Sequence, residues 1–216
     1  AGNEQAAGDV TRTPGLLQWV IVHPLQPRTF DQARQMLAHP KCVGIKIHPE
    51  EHQYAITEHG DALFSFAAEC GAVVLTHSGD PNSWPADFAP FADAFPEVRL
   101  ILAHLGNGGQ ASGDLDLQVR AIQAAQHGNI WTDTSSMRSI MPGLIEWAVE
   151  QVGAERLLYG TDTPLYFAPN QRARIDHADI SDHAKQLILR DNAVGLLRLC
   201  DEPADGKKQD SPIRSV

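Results

Sequence analysis

The chain has 216 residues, 43% of them hydrophobic and 20% charged, enough for one globular domain with a sizeable core. Its 17 basic and 27 acidic residues leave a formal net charge of −10, which argues against nucleic acid or an anionic membrane as the main partner. No apolar run approaches the ~18 residues of a membrane span, and Cys42, Cys70 and Cys200 are an odd set without a CxxC pair, so a reducing, cytoplasmic setting is expected.

In chain order, residues 1–15 are polar, carry no apolar leader core, and read as an irregular segment. Six apolar, β-rich runs follow: Gln18–His23, Val43–His48, Val73–His77, Arg99–His104, Asn129–Thr134 and Arg156–Asp162. They are almost continuously apolar, as parallel strands buried on both faces are.

Helical stretches separate them. Thr29–His39 opens on a Thr29–Gln32 capping-box pattern, and Asp61–Cys70 stops at Gly71. Phe88–Phe95, Leu115–His127 and Gly143–Val152 follow, and Ser181–Cys200 carries Ala184, Leu187, Ile188, Val194, Leu196 and Leu197 at helical spacing. Residues 201–216, rich in Lys, Asp and Pro, read as a disordered tail. Strands alternating with helices imply a parallel α/β architecture, and either an open doubly wound sheet or a barrel fits that order.

Most strand runs end in a polar group: His23, Lys46 with His48, His77, His104, Asp133 and Asp162. Ligands of parallel α/β proteins lie beyond the carboxyl ends of the strands, so these groups are expected to share a pocket. Imidazole and carboxylate together suit Zn²⁺ or a similar divalent ion, which lowers the pKa of bound water to ~7. Any one strand-end His is more often a turn residue than a ligand. The ordered set His77, His104, Asp162 is harder to explain that way.

Four motifs carry a resemblance. GIKIHP (Gly44–Pro49), VVLTHSG (Val73–Gly79), LILAHLGNGG (Leu100–Gly109) and LLYGTDTP (Leu157–Pro164), in this order and spacing, resemble the amidohydrolase superfamily and within it the amidohydrolase-related (amidohydrolase 2) family. The resemblance covers about residues 16–200 and implies a metal-dependent (β/α)8 TIM-type barrel. It implies that His77 closes the fifth strand as a metal ligand, and that His104 closes the sixth as a second metal contact or a group acting on substrate. Asp162 would close the eighth, binding metal and taking the proton of the attacking water. Lys46 and His48 would face substrate; in some superfamily members a lysine at the place of Lys46 is carboxylated and bridges two metals.

The family's first strand carries an H-x-H metal pair, and no H-x-H occurs in this sequence. The strand at Trp19–His23 maps best onto the third, so the barrel is expected to be N-terminally incomplete, lacking its first two strands and half of the metal shell. Its first visible strand would be an open edge, prone to self-association or homo-oligomer formation.

Three functions follow from the resemblance. The leading expectation is a hydrolase in which metal-activated water attacks a lactone, ester or amide carbonyl. The alternative is a non-oxidative decarboxylase of an aromatic or enoic carboxylic acid, with Arg138 and Arg174 as candidate carboxylate clamps. A degenerate, non-catalytic barrel is the third. In the first two the partner is a small molecule and the cofactor a divalent metal, zinc by preference; the third would bind a ligand or a partner.

Other patterns are set aside. His48-Pro49-Glu50-Glu51-His52 matches the inverted zinc-protease motif in letters, but a strand end followed by Pro49 cannot put both histidines on one helix face. The glycine-rich run after His104 lacks dinucleotide and P-loop spacing and suits a turn where backbone nears the site. Ser135 and Ser136 either line the pocket or cap a helix.

Overall fold

The structure, a computed structural model, describes residues 2–108 and 113–199. The tail expected at 201–216, Cys200 and Gly109 lie outside the described residues.

Six parallel strands form one sheet: β1 (Gln18–Ile21), β2 (Cys42–Ile47), β3 (Val73–Thr76), β4 (Leu100–Leu102), β5 (Ile130–Asp133) and β6 (Leu157–Leu158). Their spatial order is the chain order, β1 to β6. A doubly wound sheet reverses direction at a switch point, so that helices cover both faces. Unidirectional winding with right-handed crossovers puts every connecting helix on one face, which is the geometry of a barrel wall. The sheet is thus an arc of a (β/α)8 barrel, closed on neither side among the described residues, since β1 and β6 each have one strand neighbour.

The alternation of side chains sorts the strands between two faces. Val20, Ile45, Ile47, Val74, Leu100, Leu102 and Ile130 pack with Leu63, Phe64 and Phe88 of the outer helices α4 (Ile56–Cys70) and α5 (Pro85–Ala94). Trp19, Leu75, Ile101, Trp131 and Leu158 gather in a second cluster. Lys46 is in register with Ile21 and Leu75, so it shares this second, inner face.

Most helices fall where the pattern put them. Gly71 ends α4 in the left-handed region at φ 61°, a conformation glycine adopts without steric cost. The helices α6 (Leu117–Ala124) and α7 (Leu144–Val152) also match their predicted segments. The predicted Ser181–Cys200 helix is instead a run of α9 (Asp182–Gln186), a π segment (Leu187–Asp191) and α10 (Asn192–Leu197), with the Ser181 hydroxyl accepting from the Ala184 N–H.

Four expectations are corrected. The first segment is not irregular: Gly2–Arg12 is helix α1. The Thr29 capping box does not form, because α2 (Arg28–Met36) starts one residue earlier and the Thr29 hydroxyl turns to the carbonyls of His23 and Gln26. Two helices were not foreseen: the single turn α3 (Pro49–His52) and α8 (Ala168–Asp176). The edge of β1 is partly covered, since the Asn3 amide donates to the Ile21 carbonyl and accepts from the Ile21 N–H, both at 2.9 Å. One side chain thereby supplies what a neighbouring strand would.

No described helix is long and apolar enough to cross a membrane.

Candidate functional site at the strand ends

The carboxyl ends of β2, β3, β4 and β6 open into a cavity of about 530 Å³ lined by Lys46, His48, His77, His104 and Asp162, with Glu50, Asp80, Asn107 and Tyr166 around them. That size suits a small ligand. Larger hollows of about 680 and 820 Å³ lie elsewhere, and neither includes Lys46, His77, His104 or Asp162. All five site residues expected from the sequence therefore meet in one place.

The backbone turns sharply at two of them. His104 has φ 78° and Asp162 φ 52°, left-handed values that non-glycine residues adopt at a cost of ~1–3 kcal/mol. Each is held there by neighbours. The His104 N–H donates to Asp133 Oδ1 at 3.1 Å, and the Leu105 N–H to the Asp133 carbonyl at 2.8 Å. The Asp162 carbonyl accepts from the N–H groups of Leu165 and Tyr166.

The histidines form a ladder. His48 stacks on His77 with ring centroids 4.3 Å apart and planes 10° off parallel, and His77 lies 4.9 Å from the His104 ring. His77 Nε2 is hydrogen-bonded to Asp80 Oδ2 at 2.6 Å. His104 Nδ1 is hydrogen-bonded to the Ser135 hydroxyl at 2.7 Å. His48 caps α3, its Nδ1 accepting from the Glu51 N–H at 3.2 Å. That one turn of helix also explains why the zinc-protease lettering around it carries no such site.

Burial and nearby basic groups lower the pKa of two of these rings, His48 and His104. Burial first, then His77 and Lys46, push His48 down to about 3. Burial lowers His104 as well, partly offset by Asp133. Burial lowers Lys46 below its usual value, while Asp133 and Asp162 oppose that shift. Among the described residues lining the cavity, Lys46 is the one Lys or Arg.

The two arginines expected as clamps lie elsewhere. Arg174 pairs with Glu146, and Arg138 packs beside Gly106; neither lines the cavity.

Two residues were missed in the sequence. Asp80 and Asn107 each follow a strand-end histidine by three residues, and that shared spacing was the available signal. The Asn107 amide donates to the Ser78 carbonyl at 2.8 Å and approaches Asp80 Oδ2 at 3.4 Å, tying the two turns together. Asp133 and Ser135, both noted at the end of their strand run, engage His104 from the next strand.

A catalytic zinc site typically has three protein donors. Among the described residues no group of three His, Cys, Asp or Glu side chains is placed to hold a metal ion. Asp80 occupies one nitrogen of His77, and Ser135 occupies one of His104. The residues present do not fit a complete divalent-metal centre.

The amidohydrolase family model matches residues 1–199. No curated protein sequence matches the chain significantly. Among solved structures, the chain is similar to 2,6-dihydroxybenzoate decarboxylase from Rhizobium, with a TM-score of 0.73 at 14% identity over 92% of this chain and 76% of that one. It is similar to 5-carboxyvanillate decarboxylase from Sphingomonas paucimobilis, with a TM-score of 0.70 at 15% identity over 91% and 71%. It is also similar to a dihydroxybenzoic acid decarboxylase from Polaromonas with bound manganese and the inhibitor 2-nitroresorcinol, with a TM-score of 0.71 at 15% identity over 92% and 74%. At these identities the likeness is one of fold.

Proposed function

The chain belongs to the amidohydrolase family, and on that premise we propose that its strand-end cavity binds a small aromatic or enoic carboxylic acid and releases the carboxylate as CO₂ without oxidation. The observation that carries this reading is Lys46: a basic side chain on the inner face, beside His48 and His104 with their lowered pKa values, in a cavity of small-molecule size. A carboxylate there gains a charge-assisted hydrogen bond that water screens little. The solved relatives that are decarboxylases of aromatic acids support the same substrate class.

The roles divide as follows. Lys46 holds the carboxylate, with Asp133 and Asp162 favouring its charged form. His48 and Tyr166 line the sides. His104 moves the proton. Its neutral ring takes one from a substrate hydroxyl or from water and delivers it to the carbon that bears the carboxylate. The carbon–carbon bond then breaks, its electron pair returns to the substrate framework, and CO₂ leaves. The net reaction consumes one proton.

A divalent ion of the kind bound by the Polaromonas relative, manganese there and zinc by donor type here, would need donors beyond His77, His104 and Asp162.

Hydrolysis of a lactone, ester or amide is the second reading. One observation favours it: His104, its pKa lowered by burial and lying near Asp162, also suits a general base for water.

The test incubates the protein with hydroxybenzoates, other aromatic acids and enoic acids in D₂O, with and without added Mn²⁺ or Zn²⁺. The expected result is CO₂ release with one deuteron on the vacated carbon, weakened at low substrate in Lys46→Met. Hydrolysis of lactones or esters without any CO₂ would overturn it in favour of the second reading. Binding of the acids without turnover would leave a non-catalytic barrel.

A further inference from the structure

We propose that Asp133 and Ser135 are positioning residues that lock His104 in its Nδ1–H tautomer, leaving the Nε2 lone pair for the cavity. The inference deepens the reading in which His104 moves the substrate proton.

Asp133 Oδ1 accepts the His104 N–H at 3.1 Å and the Ser135 N–H at 2.9 Å, and the Ser135 hydroxyl also lies against it. A carboxylate with these donors around it is an acceptor only. The Ser135 hydroxyl is also 2.7 Å from His104 Nδ1. It has one proton and must choose. If the proton pointed to His104, two oxygen lone pairs, on Ser135 and on Asp133, would face each other with nothing between them.

The proton therefore points to Asp133. The hydroxyl oxygen is then an acceptor toward His104, and the only donor that can reach it is Nδ1–H. Asp133 is 9% exposed and Ser135 5%, so little water is at hand to substitute for either partner. An unmade bond at such a place costs more than one at the surface.

The arrangement reaches the ring from behind. His104 lines the cavity and its Nδ1 is occupied, so Nε2 is the nitrogen left to meet a ligand. In the neutral ring that nitrogen carries the lone pair. It accepts a proton first and donates it second, the order that the proposed decarboxylation requires. The opposite tautomer would present an N–H and block the first step.

Ring-nitrogen NMR on the full chain labelled with ¹⁵N-histidine tests this at neutral pH, with His104 assigned by the signal lost in His104→Gln. The expected wild-type spectrum shows Nδ1 protonated and Nε2 unprotonated. In Ser135→Ala the fixed tautomer is expected to give way to a mixture, and in Ser135→Thr, which keeps the hydroxyl, to persist. A proton on Nε2 of the wild-type ring, or an unchanged tautomer in Ser135→Ala, would overturn the proposal. The wild-type spectrum needs neither Ser135 variant nor turnover, so it stays decisive if Ser135→Ala does not fold. A failed decarboxylation assay would leave it untouched.

Discussion

Gly160 lies so close to Asp133 that a methyl group there would come within 2.9 Å of the Asp133 carboxyl carbon and 3.0 Å of Ser135 Cβ. Both neighbours are buried and hydrogen-bonded, so neither can retreat freely. Gly160→Ala is expected to cost about 1–3 kcal/mol through overpacking. It should also displace the groups that hold His104, lowering kcat about tenfold or more while KM changes little. Thermal unfolding together with steady-state kinetics checks this. An unchanged kcat in a destabilised variant would mean that Asp133 and Ser135 serve packing alone.

Lys46 supplies the charge for the substrate. Lys46→Met keeps the length of the side chain and removes the ammonium. A hydrogen bond to a charged group contributes ~1.5–3 kcal/mol, so KM for a carboxylate substrate should rise by about one to two orders of magnitude. The methyl ester of the same acid should bind the wild type weakly and the variant no worse. Equal losses for acid and ester would assign Lys46 to the structure of the cavity rather than to recognition of charge.

The wall of the barrel was readable because its signal is local. An apolar run such as Val43–His48 needs no partner to declare itself, and Gly71 marks a helix end by its own backbone. His48, His77, His104 and Asp162 were readable for a related reason: each closes such a run, and Lys46 lies two residues before the end of one. What escaped depends on pairs distant in sequence. Asn3 meets Ile21 across 18 residues, and Asp133 meets the His104 N–H across 29. No periodicity records such meetings. Arg174 misled in the opposite way: its charge suited a carboxylate clamp, but Glu146 on α7 claims it.

The depressed pKa of His48 makes stability depend on acid. Its folded value is about 3 against an ordinary 6.5, so between those limits the unfolded chain binds a proton that the folded chain refuses. Stability is complete above about 6.5 and falls as pH drops toward 3. His104 and His52 are lowered as well and act in the same direction. His48→Asn keeps an acceptor for the Glu51 N–H and removes the titrating ring. Urea midpoints measured from pH 7 to pH 4 should decline less steeply in this variant than in the wild type. Parallel curves would show that other groups dominate the acid response.

Gln118 is fully buried and spans the floor of the site. Its carbonyl accepts from the Gly106 N–H at 3.2 Å, and its amide donates to the Asn107 carbonyl at 2.9 Å and to the Ser78 hydroxyl at 3.1 Å. Ser78 follows His77, and Gly106 and Asn107 follow His104, so one side chain fixes both histidine turns. Gln118→Leu fills a similar volume but strands the Gly106 N–H and the Asn107 carbonyl without partners. The expected loss is about 2–4 kcal/mol, read as a lower urea midpoint at an unchanged slope. Because Asn107 approaches Asp80, and Asp80 holds His77, the loss should spread to the ladder of rings. The His77 ring resonances are therefore expected to shift or broaden in this variant, although Gln118 does not touch that ring. A destabilised variant with unmoved His77 signals would confine the role of Gln118 to the floor.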